Sequence, residues 1–271
     1  MNEIIYRRKL VQTRRTVEVE LYPVYKSGST RGRKSKKSSK AQKNLNAKNS
    51  LKSLVRVVNN NFTENDFFVS PTFDDGHLPR DATEAKRVVK NYLARLKRSA
   101  EKQGKPFKWV QIVECGTVNG RLHVHLIMSG ADAAAIMKQW KCGIIEISPL
   151  RASESGFTAL AKYHGKTRGK RRNNLTLGNC KTWTCSRNIE KPKVTYSDAA
   201  ISKKALYRLI VSHDESAYKR LLTKALREKC DLIESDSGDI ADYEDWQFLE
   251  RSYQINDISG YYLYLTFNRR E

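Results

Sequence analysis

The stretch Leu122-His123-Val124-His125-Leu126-Ile127-Met128 sets the strongest constraint on how this chain folds. Side chains of a strand alternate with period two, so one face would carry His123 and His125 and the other Leu122, Val124, Leu126 and Met128. Such a strand is half-buried. Its apolar face belongs to a core, and two metal-capable imidazoles stand on the face left over. Asn119-Gly120, just before it, is a strong hairpin signal, and residues 107–115 read as the partner strand. A two-residue turn at Asn119-Gly120 sets Glu114 opposite His125. Directly paired Cβ atoms lie about 5 Å apart, so that register gathers two imidazoles and a carboxylate. A bulge near Gly116 would shift it.

Charge narrows the partner. The 271 residues carry 51 Lys+Arg against 29 Asp+Glu, a formal net charge of +22, which points to a polyanion. Nucleic acid is favoured over a membrane, because no apolar run approaches the roughly 18 residues of a membrane span and no basic amphipathic helix has a Trp/Leu face. The apolar fraction of 39% is below the roughly 45–50% of globular chains, so part of the chain buries little. Residues 1–8 lack the apolar region of a signal peptide. The five cysteines (Cys115, Cys142, Cys180, Cys185, Cys230) are odd in number and show no framework spacing. Together these predict free thiols in the cytoplasm of a bacterial host cell.

Three segments are expected: an N-terminal strand and basic segment (1–44), a core (45–198), and a C-terminal helical region whose closing strand packs on that core (199–271). Within the first, residues 17–25 alternate as a strand ending at Pro23, and residues 27–40 combine Gly, Ser and positive charge with no apolar residue. The latter reads as a soluble linker or as a phosphate-gripping arm that orders on DNA. Leu51, Leu54, Val55 and Val58 predict an amphipathic helix over 41–58. Residues 67–73 read as a short buried strand, with Pro71 suggesting an edge or a bulge. Asp81 and Thr83 are candidate caps for a helix to about Gln103, stopped by Gly104 and Pro106. That helix has Ala85, Val89, Tyr92, Leu93 and Leu96 on one face and Lys86, Arg87, Lys90, Arg95, Lys97 and Arg98 on the other.

Further on, residues 131–140 and 156–166 read as helices and 143–147 as a strand ended by Pro149. Residues 202–211 and 215–226 read as helices, 231–245 as an acidic loop and 261–267 as a closing aromatic strand.

In the 156–166 helix Tyr163 and Lys166 are three apart and share a face. A metal site on the histidine strand would polarise a phosphodiester and would need a nucleophile, for which Tyr163 is the candidate. The Lys166 charge would favour phenolate and later stabilise a leaving oxygen. Cys180 and Cys185 with His164 fit no strong zinc spacing. His77 and His213 read as structural.

The series of residues 67–73, Glu114, His123-Val124-His125, residues 159–166 and residues 186–192 resembles the rolling-circle replication initiators of phages and plasmids. These belong to the endonuclease superfamily named for its histidine–hydrophobic–histidine (HUH) motif. The closing Tyr261-Tyr262-Leu263-Tyr264 resembles the end of such replication-associated proteins. Pro71 within the first motif, Gly165 after the tyrosine and a basic insertion before Ser186 depart from the pattern.

The resemblance implies an α+β fold: a central antiparallel sheet related to RNA-recognition and ferredoxin-like folds, with helices on one face and the metal site on the other. It implies that His123, His125 and Glu114 bind a divalent metal (Mn²⁺ or Mg²⁺), and that Tyr163, assisted by Lys166, forms a 5′-phosphotyrosine link and releases a 3′-hydroxyl. Thr72, Arg168, Lys170, Arg171, Arg172, Arg187 and Asn188 are the expected DNA-binding residues. The partners are single-stranded or origin DNA and a host helicase or polymerase, with no membrane. Relaxases and single-tyrosine transposases use the same site, and a non-catalytic nucleic-acid-binding protein is the alternative from another class.

Overall fold

The computed structural model describes residues 4–25, 39–115, 122–166, 183–230, 246–256 and 260–269. In chain order the elements are β1 (Ile4–Gln12), β2 (Thr16–Tyr25), α1 (Lys40–Asn61), β3 (Phe67–Pro71), α2 (Ala82–Lys102), β4 (Lys108–Cys115), β5 (Leu122–Ser129), α3 (Ala133–Gln139) and β6 (Ile145–Pro149). They continue with α4 (Thr158–Lys166), β7 (Trp183–Cys185), β8 (Lys193–Ala199), α5 (Lys203–Ser212), α6 (Glu215–Cys230), β9 (Trp246–Asn256) and β10 (Gly260–Arg269). Two five-stranded antiparallel sheets and their helices make the fold α+β, as expected. No helix among the described residues is long and apolar enough to cross a membrane.

The chain divides into two units, one formed by residues 1–43, 154–156 and 192–271, the other by residues 44–153 and 157–191. The N-terminal strand and the closing aromatic strand, read in sequence as separate segments, share the sheet of the first unit. Its order is β8-β1-β2-β10-β9. Strands β1, β8 and β9 are absent from the sequence-based expectation, and β2 runs on through Pro23, which pairs with Tyr6. The core of this unit gathers Leu10, Val17, Val19 and Leu21 with Leu263, Leu265 and Phe267 under Leu206, Ile210, Tyr218 and Leu222 of α5 and α6.

The second unit has the order β6-β3-β5-β4-β7, which puts the histidine strand β5 at its centre. Alternation on β5 holds: Val124, Leu126 and Met128 are buried with Val113 of β4 and with Ala85, Val89, Tyr92, Leu93 and Leu96 of α2. Helix α2 starts where expected. The Asp81 carboxylate accepts hydrogen bonds from Thr83 N and Glu84 N, each at 2.8 Å, and Glu84 Oε2 accepts one from Arg80 N at 2.9 Å. These satisfy backbone donors that a helix start leaves open. It stops at Gly104, whose φ of 67° is the left-handed conformation a glycine adopts without strain.

The other face of the same sheet is also covered. Val110, Ile112 and Ile127 pack with Leu54, Val58 and Phe62 of α1 and its end, and with Phe157 and Ala161 at the start of α4. Helices therefore lie on both faces, not on one face opposite the site. The reason is the apolar Ile127, which follows the two histidines on their own face and must be buried by something.

Pro71 sits in neither an edge strand nor a bulge. It is the last residue of β3, pairing with Ile145 of β6, and the β3–β5 ladder is confined to Phe67–Val69. Its missing N–H thus falls beyond the ladder it would have interrupted. Beside it, Gly143 has φ 135°, and a Cβ there would stand 2.4 Å from the Thr72 carbonyl oxygen, so only glycine fits.

Candidate functional site

Along β5 the exposure falls from His123, which is exposed, through the half-buried His125 to Ile127, which is fully buried. The histidines therefore stand at the rim where the cover of α1 and α4 ends. His125 is fixed from β3. Ser70 Oγ and His125 Nδ1 are 3.0 Å apart, and the Phe68 ring stacks on the imidazole at 5.5 Å with an interplanar angle of 14°. A hydrogen bond at Nδ1 sets the tautomer and ring plane, and metal-binding histidines are held in this way through the nitrogen that does not coordinate. Ser70 and Phe68 were not expected from sequence as site residues. The signal was there in the period-two spacing of Phe68 and Ser70, which puts both on one face of a strand whose neighbour was not yet known.

Glu114 needs a correction of register. It pairs with His123, and Ile112 pairs with His125, two residues off the expected alignment. A shift of two keeps every residue on its face, so the apolar pattern satisfies both alignments equally and only the connection decides between them. Asn119-Gly120 and Gly116 lie outside the described residues, as does the side chain of Glu114. The register still assigns position 114 to the histidine face. Among the described side chains no three of His, Cys, Asp or Glu gather in a metal-sized group.

Helix α4 begins on this same face. Phe157 and Ala161 are buried in its core, as expected, whereas Tyr163, two residues on, is 72% exposed. The start of α4 is tied down by Asn59, a buried residue at the end of α1: its Oδ1 accepts a hydrogen bond from Phe157 N at 2.8 Å and its Nδ2 donates to Thr158 Oγ1 at 3.4 Å. Two neighbours do the same for the segment after β7. Asn61 Oδ1 accepts from Glu190 N at 2.8 Å, and the Asn60 and Asn61 side chains both donate to Glu190 O. Three consecutive buried asparagines thus anchor two elements that flank the sheet. Lys166 is the last residue of α4, and its side chain lies outside the described residues.

The expected DNA-binding residues separate into groups. Arg168, Lys170, Arg171 and Arg172 lie outside the described residues. Arg187 is exposed. Asn188 donates from Nδ2 to Phe107 O at 3.1 Å, and Thr72 Oγ1 donates to Ile144 O at 3.1 Å, so both engage the fold through the polar atoms that were expected to meet DNA. Cys142 and Cys185 are free thiols, and burial pushes Cys142 above its ordinary value, which leaves it a poor thiolate. Cys180 lies outside the described residues, as does the side chain of His164.

Residues 66–168 match the family model of the replication-associated protein ORF2. This segment belongs to that replication-associated family. The match begins beside β3, passes through both histidines and Tyr163 and ends at Arg168, covering less than half of the chain. The replication-associated segment therefore coincides with the strands and helix that hold the candidate site. No curated protein and no solved structure matches the chain significantly.

Proposed function

We propose that the chain is a rolling-circle replication initiator that nicks and rejoins single-stranded origin DNA through a 5′-phosphotyrosine intermediate. The observation that carries this reading is the placement of His123, His125 and the buried start of α4 on one sheet face, inside the segment that matches the replication-associated family. His123 and His125, with Glu114, are the residues that would hold a divalent ion. Two imidazoles and a carboxylate suit a metal that keeps positions open for phosphate oxygen. When bound, Mn²⁺ or Mg²⁺ would polarise the scissile phosphodiester.

The chain's own residues supply the rest. The Tyr163 oxygen attacks phosphorus, the bond from phosphorus to the 3′ oxygen breaks, and that oxygen leaves with a proton for which Lys166, one turn on, is the donor. The 5′ phosphate remains esterified to Tyr163. Attack by a 3′-hydroxyl reverses the step and restores the strand, so no nucleotide cofactor is consumed. Ser70 and Phe68 hold the His125 ring, and Asn59 holds the start of the helix that carries Tyr163.

The test incubates the full chain with labelled single-stranded origin candidates and Mn²⁺ or Mg²⁺, with and without EDTA. A labelled covalent adduct should form and disappear with chelation. Tyr163→Phe should reduce it by roughly 10³-fold or more while leaving the melting temperature unchanged. An adduct that persists in Tyr163→Phe would sink the mechanism.

A further inference from the structure

One basic surface of the replication-associated unit takes no part in this chemistry. Helix α2 carries seven basic and two acidic side chains. The acids stand near its ends, where Glu84 meets Arg87 and Glu101 meets Lys97, each at 3.4 Å. From Lys86 to Arg98 no acidic residue occurs. With 100° per residue, Lys86, Lys90 and Lys97 fall within one narrow stripe, and Arg87 and Arg98 form a second beside it. Arg95 is set apart, because its guanidinium donates to Gln139 O at 2.9 Å. The stripes run for about 18 Å at 1.5 Å per residue.

Their direction follows from packing. Helix α2 buries Ala85, Val89, Leu93 and Leu96 against the sheet face formed by Val124, Leu126 and Met128, the face opposite His123 and His125. The cations therefore point away from the histidine face, with a helix of about 10–12 Å diameter and the sheet between them. A strand seated at the histidines does not reach them directly.

We propose that the outer face of α2 binds the phosphate backbone of double-stranded DNA, as a second nucleic-acid site distinct from the one that holds the cleaved strand. The residues Lys86, Arg87, Lys90, Lys97 and Arg98 define it. The face displays no aromatic side chain. Single-strand sites couple positive charge to aromatic stacking platforms, whereas binding a duplex backbone needs charge alone. A rigid stripe of about 18 Å matches roughly five base pairs of a straight duplex at 3.4 Å each. Such interactions position a protein without reading sequence.

The experiment measures binding of the full chain to a fluorescent duplex of arbitrary sequence, and to one of its strands alone, across a salt series. The variant Lys86→Ala/Lys90→Ala/Arg98→Ala should bind the duplex about tenfold or more weakly at moderate salt. Its log–log salt slope should flatten by about 2–3, at close to 0.9 for each phosphate no longer neutralised. Single-strand affinity should hold. If the triple variant melts early, Lys90→Glu beside the charge-conserving Lys90→Arg reads the same slope in a folded protein, with weakening expected only in the former. An unchanged duplex affinity and slope would overturn the proposal. So would a weakening confined to the single strand, which would make that strand the occupant. Tyr163→Phe should bind the duplex as the unaltered chain does, so the result stands apart from that of the adduct assay.

Discussion

The two central strands have the same grammar and different chemistry. In β2, Val17-Glu18-Val19-Glu20-Leu21 alternates apolar and acidic residues, and in β5, Leu122-His123-Val124-His125-Leu126 alternates apolar and imidazole. Each stands third of five strands; Val17, Val19 and Leu21 are buried on the one, Val124 and Leu126 on the other. What separates them is the neighbour on the polar face. Lys9 Nζ lies 3.1 Å from Glu20 Oε2, and on the adjacent strand Arg7 Nε lies 3.1 Å from Asp198 Oδ1. In that sheet, charge on one strand meets opposite charge on the next. On the polar face of β5 the neighbour of His125 is a neutral hydroxyl that orients the ring without cancelling a charge. Alternation locates a polar face, and the residue across the ladder decides whether that face is structural or chemical.

The contrast can be broken in four ways. The largest effect is expected from Leu265→Ala in the core of the first unit, at about 2–5 kcal/mol of stability. Urea unfolding should show the drop, faster hydrogen exchange should appear in β2 and β10, and covalent adduct formation should survive in the folded fraction. If adduct formation fails while the protein remains folded, the division of labour between the sheets is wrong. Next comes Asn59→Ala, which strips the buried Phe157 N–H of its acceptor at a cost of about 1–3 kcal/mol. Adduct formation should slow more than single-strand binding weakens, because the substitution loosens the helix that carries the nucleophile. Equal reductions in both would remove Asn59 from that positioning role.

Ser70→Ala sharpens the comparison directly. Removal of an orienting partner should weaken Mn²⁺ binding by about tenfold in titration calorimetry, whereas Glu20→Gln should leave it unchanged. The smallest effect belongs to Tyr264, which burial first, and then Glu20, Tyr262 and Tyr22, push up to about 12. A phenol held above its ordinary value near 10 is stabilising while protonated. Its contribution is complete below about pH 10 and is lost as pH rises towards 12. Tyr264→Phe should therefore flatten the alkaline decline of stability measured by circular dichroism. An unaltered decline would locate the sensitivity elsewhere.

Legibility divided along the same line as the chemistry. In the second unit the elements follow from local pattern: the capped α2, the amphipathic α1 and the alternating β5 each declare themselves within a few turns or residues. In the first unit, β1 places Arg7, Arg8 and Lys9 in a row, and a basic run reads as a solvated segment. Arg8 is nonetheless only 4% exposed, because Ser197 on β8 accepts from its Nε and Nη2 at 3.1 and 2.9 Å. A partner 189 positions away is invisible to any local window. The same cause explains the site. The histidine pair and Tyr163 came from short spacings, whereas Ser70 depended on knowing that β3 lies beside β5. Thr72 and Asn188 show the converse, since polar residues in suggestive positions turned out to bond the backbone of their own unit.

The pairing of β2 with β10 also orders events during synthesis. Leu21 meets Leu263, roughly 240 residues later in the chain. At about 5–20 residues per second, some 12–50 s separate the emergence of the two partners from the ribosome. Throughout that interval the β1–β2 hairpin must wait with one side of β2 uncovered, the state in which strands recruit the wrong neighbour. Glu18, Glu20 and Pro23, on the waiting strand itself, are the residue types that discourage such pairing.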